Sequence, residues 1–289
     1  VLDGSGNVIW DKAYGGASDD LGNSIVQTTD NGFVMLGESA SFTGVDQDLY
    51  LVKIDENGDT LWTRTYGGSG TDIGNAIVEC GDGGFIIVGE TSSYGSGGSD
   101  VYMIKTDLLG NVIWSKTYGG SLNEIGNSVK QVYDGGFIIV GETNTFGSGQ
   151  EDVYLIRTDI NGDTLWTKVF GGASLDIGLD VIEADDGGYA IAASSRTFGK
   201  PWEEFYIIKT DINGNTGSCH QANTNTSVMT IVSTVESTTT TVASGINTRN
   251  YGTIVGTPTI VSENLLITTS INLTDVSCNG GSNGAVGLT

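Results

Sequence analysis

Three observations predict an all-β fold built from one repeated unit. Trp10, Trp62, Trp114 and Trp166 follow one another at intervals of 52 residues, and the pairs Gly15/Gly16, Gly67/Gly68, Gly119/Gly120 and Gly171/Gly172 keep the same step. Each period holds four short strand patterns bounded by Gly, Asn or Asp. Glycine makes up 45 of 289 residues and proline only 2, a composition that suits tight hairpins and not a Pro-rich linker. A unit of this size cannot bury its apolar face alone and must stack on its neighbours. Two hairpins per period give a four-stranded antiparallel unit of propeller-blade size, so the expected architecture is a β-propeller over residues 1–217. A β-solenoid is the competing array, but its coils are shorter and do not hold two turn-marked hairpins.

In chain order, the first period is expected to place strands at 24–29, 33–38, 48–54 and 60–66. The first two meet at Asp30-Asn31-Gly32, with equivalents at Asp82-Gly83-Gly84, Asp134-Gly135-Gly136 and Asp186-Gly187-Gly188, which predicts two-residue turns with φ > 0 at both positions. The third and fourth strands flank Asn57-Gly58. The run FIIV at 85–88 is apolar on both faces, as expected of a strand sandwiched between neighbouring units. The fourth-strand pattern first occurs at 8–14, and the third-strand pattern last occurs at 204–210. The chain thus holds four copies of each strand, beginning with a fourth and ending with a third. Strand 8–14 is expected either to close the ring by completing the last blade or to belong with further blades upstream. Opening inside a repeat with no signal peptide before it, the sequence is expected to be part of a longer protein.

The repeat period is lost after residue 217. Residues 218–268 are rich in Thr, Ser and Val and alternate at 230–235 and 257–261, which predicts further strands or an extended stalk. Residues 269–289 begin another unit.

The net charge of -23 argues against a nucleic-acid partner, which requires clustered Lys and Arg, and fits an acidic extracellular surface. No run of about 18 apolar residues predicts a membrane span. Cys80, Cys219 and Cys278 follow no metal spacing. Cys219 and Cys278 flank the non-repetitive tail and are a candidate disulfide in an oxidising compartment.

Most candidate chemical groups recur once per period, and a group present in every unit serves the unit. Basic residues occupy Lys53, Lys105, Arg157 and Lys209 on third strands and Lys12, Arg64, Lys116 and Lys168 on fourth strands. With the turn at Asn57-Gly58, Lys53 lies opposite Trp62, which makes a cross-strand cation–π pair available. Acids recur at Asp20/Asp72/Glu124/Asp176, at Asp48/Asp100/Asp152/Glu204 and at Glu38/Glu90/Glu142. Structural ion pairs and turn caps are expected of them, because a catalytic pair requires two carboxylates in different environments. No catalytic residues are therefore assigned. The segments 55–59 and 159–163 resemble calcium loops superficially but lack the distal Glu; calcium remains a candidate cofactor without assigned ligands. His220, the single histidine, has no nucleophile motif near it. The candidate ligand-binding residues are Phe42, Tyr94, Phe146 and Phe198, one in each loop between second and third strands, placed to stack on a sugar or peptide or else to plug the gap between units.

The repeat typified by residues 55–107, DENGDTLWTRTYGGSGTDIGNAIVECGDGGFIIVGETSSYGSGGSDVYMIKTD, resembles the propeller-type repeats of large secreted proteins of the Bacteroidota. Residues 273–286, LTDVSCNGGSNGAV, resemble the opening of an SprB repeat, the immunoglobulin-like unit of gliding and surface adhesins in that phylum. The resemblance implies export by the type IX secretion machinery and O-glycosylation at Asp-Ser/Thr-apolar sites, here Thr60 and Thr164. The expectation is a non-enzymatic adhesin binding a surface glycan or protein. The alternatives are an architectural subunit of an extracellular filament, capable of self-association, and a carbohydrate-active propeller enzyme.

Overall fold

The computed structural model describes residues 1–42, 46–198, 202–217, 221–223, 226–231, 234–236 and 241–243. These belong to one compact unit, Val1–Gly245. Cys219, His220 and Cys278, the segment 257–261 and the whole of 269–289 lie outside the described residues.

Every element among the described residues is a β-strand, and the repeat appears as antiparallel sheets joined in simple meanders. The first sheet comprises β2 (Asp20–Gln27), β3 (Phe33–Ser39), β4 (Asp48–Ile54) and β5 (Thr60–Gly67), preceded by β1 (Ala13–Gly15). The second comprises β6 (Asp72–Glu79), β7 (Phe85–Thr91), β8 (Asp100–Thr106) and β9 (Val112–Gly119). The third comprises β10 (Glu124–Gln131), β11 (Phe137–Thr143), β12 (Asp152–Thr158) and β13 (Thr164–Phe170). The fourth has only three strands, β14 (Asp176–Glu183), β15 (Tyr189–Ser195) and β16 (Glu204–Lys209).

The first strand of each sheet starts about four residues earlier than its apolar pattern predicts. A β-bulge explains the miss: register shifts at Gly22/Ser24, Gly74/Ala76, Gly126/Ser128 and Gly178/Asp180 break the alternation midway. The turns also differ from expectation. Asn31 N donates to Thr28 O and Thr28 N to Gly32 O, and only Asn31 of the loop has positive φ, at 65°. This is a three-residue loop, a type I turn followed by one left-handed residue, and Gly83, Gly135 and Gly187 repeat it. One left-handed residue is enough here, so the second glycine of each pair is not needed for its φ.

The core lies between consecutive sheets. Val34, Leu36, Leu49 and Leu51 of the first sheet pack on Ile77, Phe85, Ile87 and Ile104 of the second. The same positions shifted by one repeat build the next junction, with Ile86, Val88, Val101 and Met103 against Val129, Phe137, Ile139 and Ile156. A third copy sets Ile138, Val140, Val153 and Leu155 against Val181, Tyr189, Ile191 and Ile208. Apolar area removed from water contributes roughly 25 cal/mol per Å², so these junctions hold the array together.

The ring expected of a propeller is not closed in this structure. Strand 8–14 does not complete the fourth sheet: only Ala13–Gly15 of it is a strand, and it pairs with β20 (Thr241–Ala243). A fourth-type strand is held over its full length by a third strand, and β1 has none beside it. The Thr-rich segment instead returns along the whole array. After β17 (Gln221–Asn223) come β18 (Ser227–Ile231), β19 (Thr234–Glu236) and β20, which pair antiparallel with β13, β9, β5 and β1 in turn. Gln221, Val228, Val235 and Val242 sit opposite Phe170, Tyr118, Tyr66 and Tyr14, so seven residues of this strap advance by one 52-residue repeat. The strap adds a strand to the outer edge of each sheet it passes, covering N–H and C=O groups that an open edge would expose.

Candidate functional site

The loops between second and third strands lie at the same end of each sheet, where the Gly-Gly pairs and the recurring acids also converge. Each candidate aromatic is half-buried and packs on the tyrosine of the adjoining third strand. The ring centroids are 5.2 Å apart for Phe42/Tyr50, 5.8 Å for Tyr94/Tyr102, 5.7 Å for Phe146/Tyr154 and 5.0 Å for Phe198/Tyr206, all tilted. The Tyr94 hydroxyl donates to Gly67 O at 2.6 Å, and the Phe146 N–H donates to Thr143 Oγ1 at 3.2 Å. These contacts fix each ring at the seam between a loop and its sheet. The second loop is exposed at Ser92 and along its tip, residues 95–98.

Beneath the loops, acids from neighbouring sheets meet in pairs around the first glycine of each Gly-Gly. A Cβ on Gly119 would strike Asp100 Oδ1 and lie 2.6 Å from Glu124 Oε2, and Gly67 and Gly171 stand in the same position between Asp48/Asp72 and Asp152/Asp176. Glycine is required there to admit both carboxylates. Asp72, Glu124 and Asp176 are fully buried loop anchors. Asp72 Oδ2 accepts from Gly68 N at 2.9 Å and Ser93 Oγ at 2.6 Å, Glu124 Oε2 from Gly120 N at 2.7 Å, and Asp176 Oδ2 from Thr197 Oγ1 at 2.6 Å. Among the described residues no Lys or Arg pairs with Asp100, Glu124, Asp152 or Asp176. Burial, with Glu124 as neighbour, pushes the Asp100 carboxyl up to about 6, and burial with Asp176 as neighbour pushes Asp152 up to about 7. Asp100 and Asp152 therefore hold a proton more readily than a free carboxylate does.

The basic residues do other work. Lys53 does lie opposite Trp62 in the β4–β5 ladder, but its ammonium turns to the first hairpin and meets Asp30 at 2.7 Å. Lys105 meets Asp82 at 2.8 Å, Arg157 pairs with Asp134, and Lys209 meets Asp186 at 2.7 Å. The cation over the tryptophan is the fourth strand's own residue two positions on: Lys12 over Trp10 at 5.9 Å, Arg64 over Trp62 at 5.5 Å, Lys116 over Trp114 at 5.8 Å. The expected cross-strand pair is thus replaced by a same-strand one, because a buried ammonium takes a carboxylate before a ring.

The calcium-like segment 55–59 is a hydrogen-bonded turn, in which Asp55 Oδ1 accepts from Asn57 N at 2.9 Å and Asp59 N at 2.7 Å while Lys12 Nζ meets Asp59 at 2.7 Å. Among the described residues no group of three or more His, Cys, Asp or Glu is arranged to hold a metal ion. The Oγ1 atoms of Thr60 and Thr164, the threonines named above as candidate glycosylation sites, are buried without a hydrogen-bond partner in the folded strands. Cys80 is a free, buried thiol whose pKa burial raises. No helix of the described residues is long and apolar enough to cross a membrane.

Comparison with family models and with curated proteins finds no match to this chain.

Proposed function

We propose that this chain is a non-enzymatic display and binding module of a secreted or cell-surface protein, an adhesin whose loop rim contacts a surface glycan or a protein. The observation that carries the reading is the equivalence of the loop sites. Each has an aromatic set at the loop–sheet seam over a tyrosine, and each loop is anchored from below by an acid, the half-buried Asp20 or the fully buried Asp72, Glu124 and Asp176, so the array presents loops of different sequence at regular intervals. The acids argue in the same direction, since they serve every sheet as the same loop caps. The extracellular location and export by the type IX machinery belong to this proposal; their support is the resemblance of the repeats and of residues 273–286, together with the net charge of -23. A closed propeller is the finer architecture under this reading, and it would join the two ends of the array.

The test is a glycan array and a surface-protein pull-down with the whole chain, with and without calcium, beside the Ser96→Ala and Gln150→Ala loop variants and the Tyr94→Ala and Phe146→Ala ring variants. Binding to one ligand class that the loop variants reduce without a change in Tm is the expected result. Binding that none of these variants alters, or no binding at all, overturns the assignment of the loop rim.

A further inference from the structure

The fourth sheet ends in an apolar face that no described residue covers. Phe205 is 79% exposed, Ile207 64% and Ile182 54%, and with Asp180, Ala190 and Ala192 they line a shallow cleft of about 240 Å³. The molecule itself shows what fits this face. Val153 and Leu155 occupy the equivalent places in the third sheet and are fully buried, as are Val101 and Met103 in the second and Leu49 and Leu51 in the first. In all three the cover is the opposite face of a following sheet, in clusters of ten to twelve buried residues.

At the other end of the array that opposite face is half uncovered. Ile25 of the first sheet is 61% exposed, whereas its counterparts Ile77, Val129 and Val181 are no more than 5% exposed. Among the described residues its cluster has three buried members, Tyr50, Val52 and Ile54, and Trp10 and Tyr14 cover it from a preceding fourth strand. One end thus lacks a fourth strand and the other lacks first, second and third strands. The free edges match as well: fourth strands elsewhere carry the strap on one edge and a third strand on the other, while β1 carries only the strap and β16 has no partner beyond β15 among the described residues.

We infer that the fourth sheet docks onto the first sheet of a second copy of this chain, so that copies join head to tail. The proposal goes beyond the display reading: it keeps the loop rim but joins the two ends of the array between copies, in place of the closed ring that would join them within one chain. In each interior sheet the third and fourth strands pair Leu49 with Tyr66, Val101 with Tyr118 and Val153 with Phe170, which sets Phe205 of one copy opposite Tyr14 of the next. A heterologous contact of this kind does not close on two copies and extends into a filament. With -23 charges on each copy, association is expected to strengthen as salt screens the repulsion.

The test uses single-cysteine variants Phe205→Cys and Tyr14→Cys in the whole chain carrying Cys80→Ala, Cys219→Ser and Cys278→Ser. Antiparallel partners at these positions are close enough to bridge. A disulfide-linked dimer formed by mixing the two variants, together with a ladder from the double variant, is the expected result. A double variant that cross-links residue 14 to residue 205 within one chain overturns the proposal in favour of a closed ring. Absence of any cross-link, with a monomeric mass by light scattering at every concentration and salt, overturns it too. Phe205→Asp, at a site exposed in the single chain, should keep its Tm and weaken association by about tenfold or more.

Discussion

The third and fourth sheets carry the same motifs 52 residues apart, yet the positions that are core in one are surface in the other. Leu155 is fully buried and Ile207 is 64% exposed. Lys105 of the second sheet has a side chain 7% exposed, and Lys209 of the fourth, paired to the equivalent aspartate, is 47% exposed. The difference does not lie in the sheets' own sequences. It lies in whether another sheet follows, so burial in this molecule is a property of the junction between two repeats and not of a repeat.

The sharpest break of that comparison is in the core. Leu155→Ala is expected to lower the unfolding free energy by about 2–5 kcal/mol, and Ile207→Ala by about 0.5 kcal/mol or less, in urea titrations of dilute protein. If the two costs are similar, the end face is covered even in the single chain. The ion pairs give the next largest contrast. Asp82→Ala strands the buried ammonium of Lys105 and should cost about 2–3 kcal/mol, whereas Asp186→Ala leaves Lys209 in water and should cost far less. Equal effects in a thermal-unfolding comparison would mean that the junction does not tune these pairs.

The smallest expected effect is pH dependence, and it sharpens the role of the buried acids. Glu142 and Asp152 are raised to about 7 and Asp100 to about 6, so the folded chain keeps protons that the unfolded chain loses near pH 4. Their stabilisation is complete below that pH and is lost as pH rises toward 7. Asp30, held down to about 2 mainly by its hydrogen bond from Lys53, acts in the opposite sense, its contribution being lost as pH falls from about 4 toward 2. Tm should therefore peak near pH 4 to 5, and Asp152→Asn, which cannot titrate, should flatten the decline above it; an unchanged profile in that variant would remove Asp152 from the account.

Much of the repeat was legible because its signals are local. The apolar runs placed β3, β7 and β11, and the ladder across Asn57-Gly58 follows from counting outward from the turn, which is why Lys53 opposite Trp62 is correct. The bulges were missed because one inserted residue, Asn23 or Asn75, cancels the alternation by which a strand is recognised. The partner of Lys53 was missed for a different reason: Asp30 is 23 residues away, and the choice between a ring and a carboxylate is made by burial, which no spacing encodes.

The strap makes the division clear. Val228, Val235 and Val242 recur every seven residues, a signal present in the sequence, but its meaning depends on Tyr118, Tyr66 and Tyr14 lying in the reverse order along the array. The sequence by itself determined the unit, because period, turn chemistry and strand patterning act over a few residues and are repeated four times. Only the tertiary structure decided how the units end: which edge the Thr-rich segment covers, which face stays open, and that β1 joins β20 and not β16. Those outcomes are competitions between distant strands for the same hydrogen-bonding edges, and local preference carries no information about which competitor arrives.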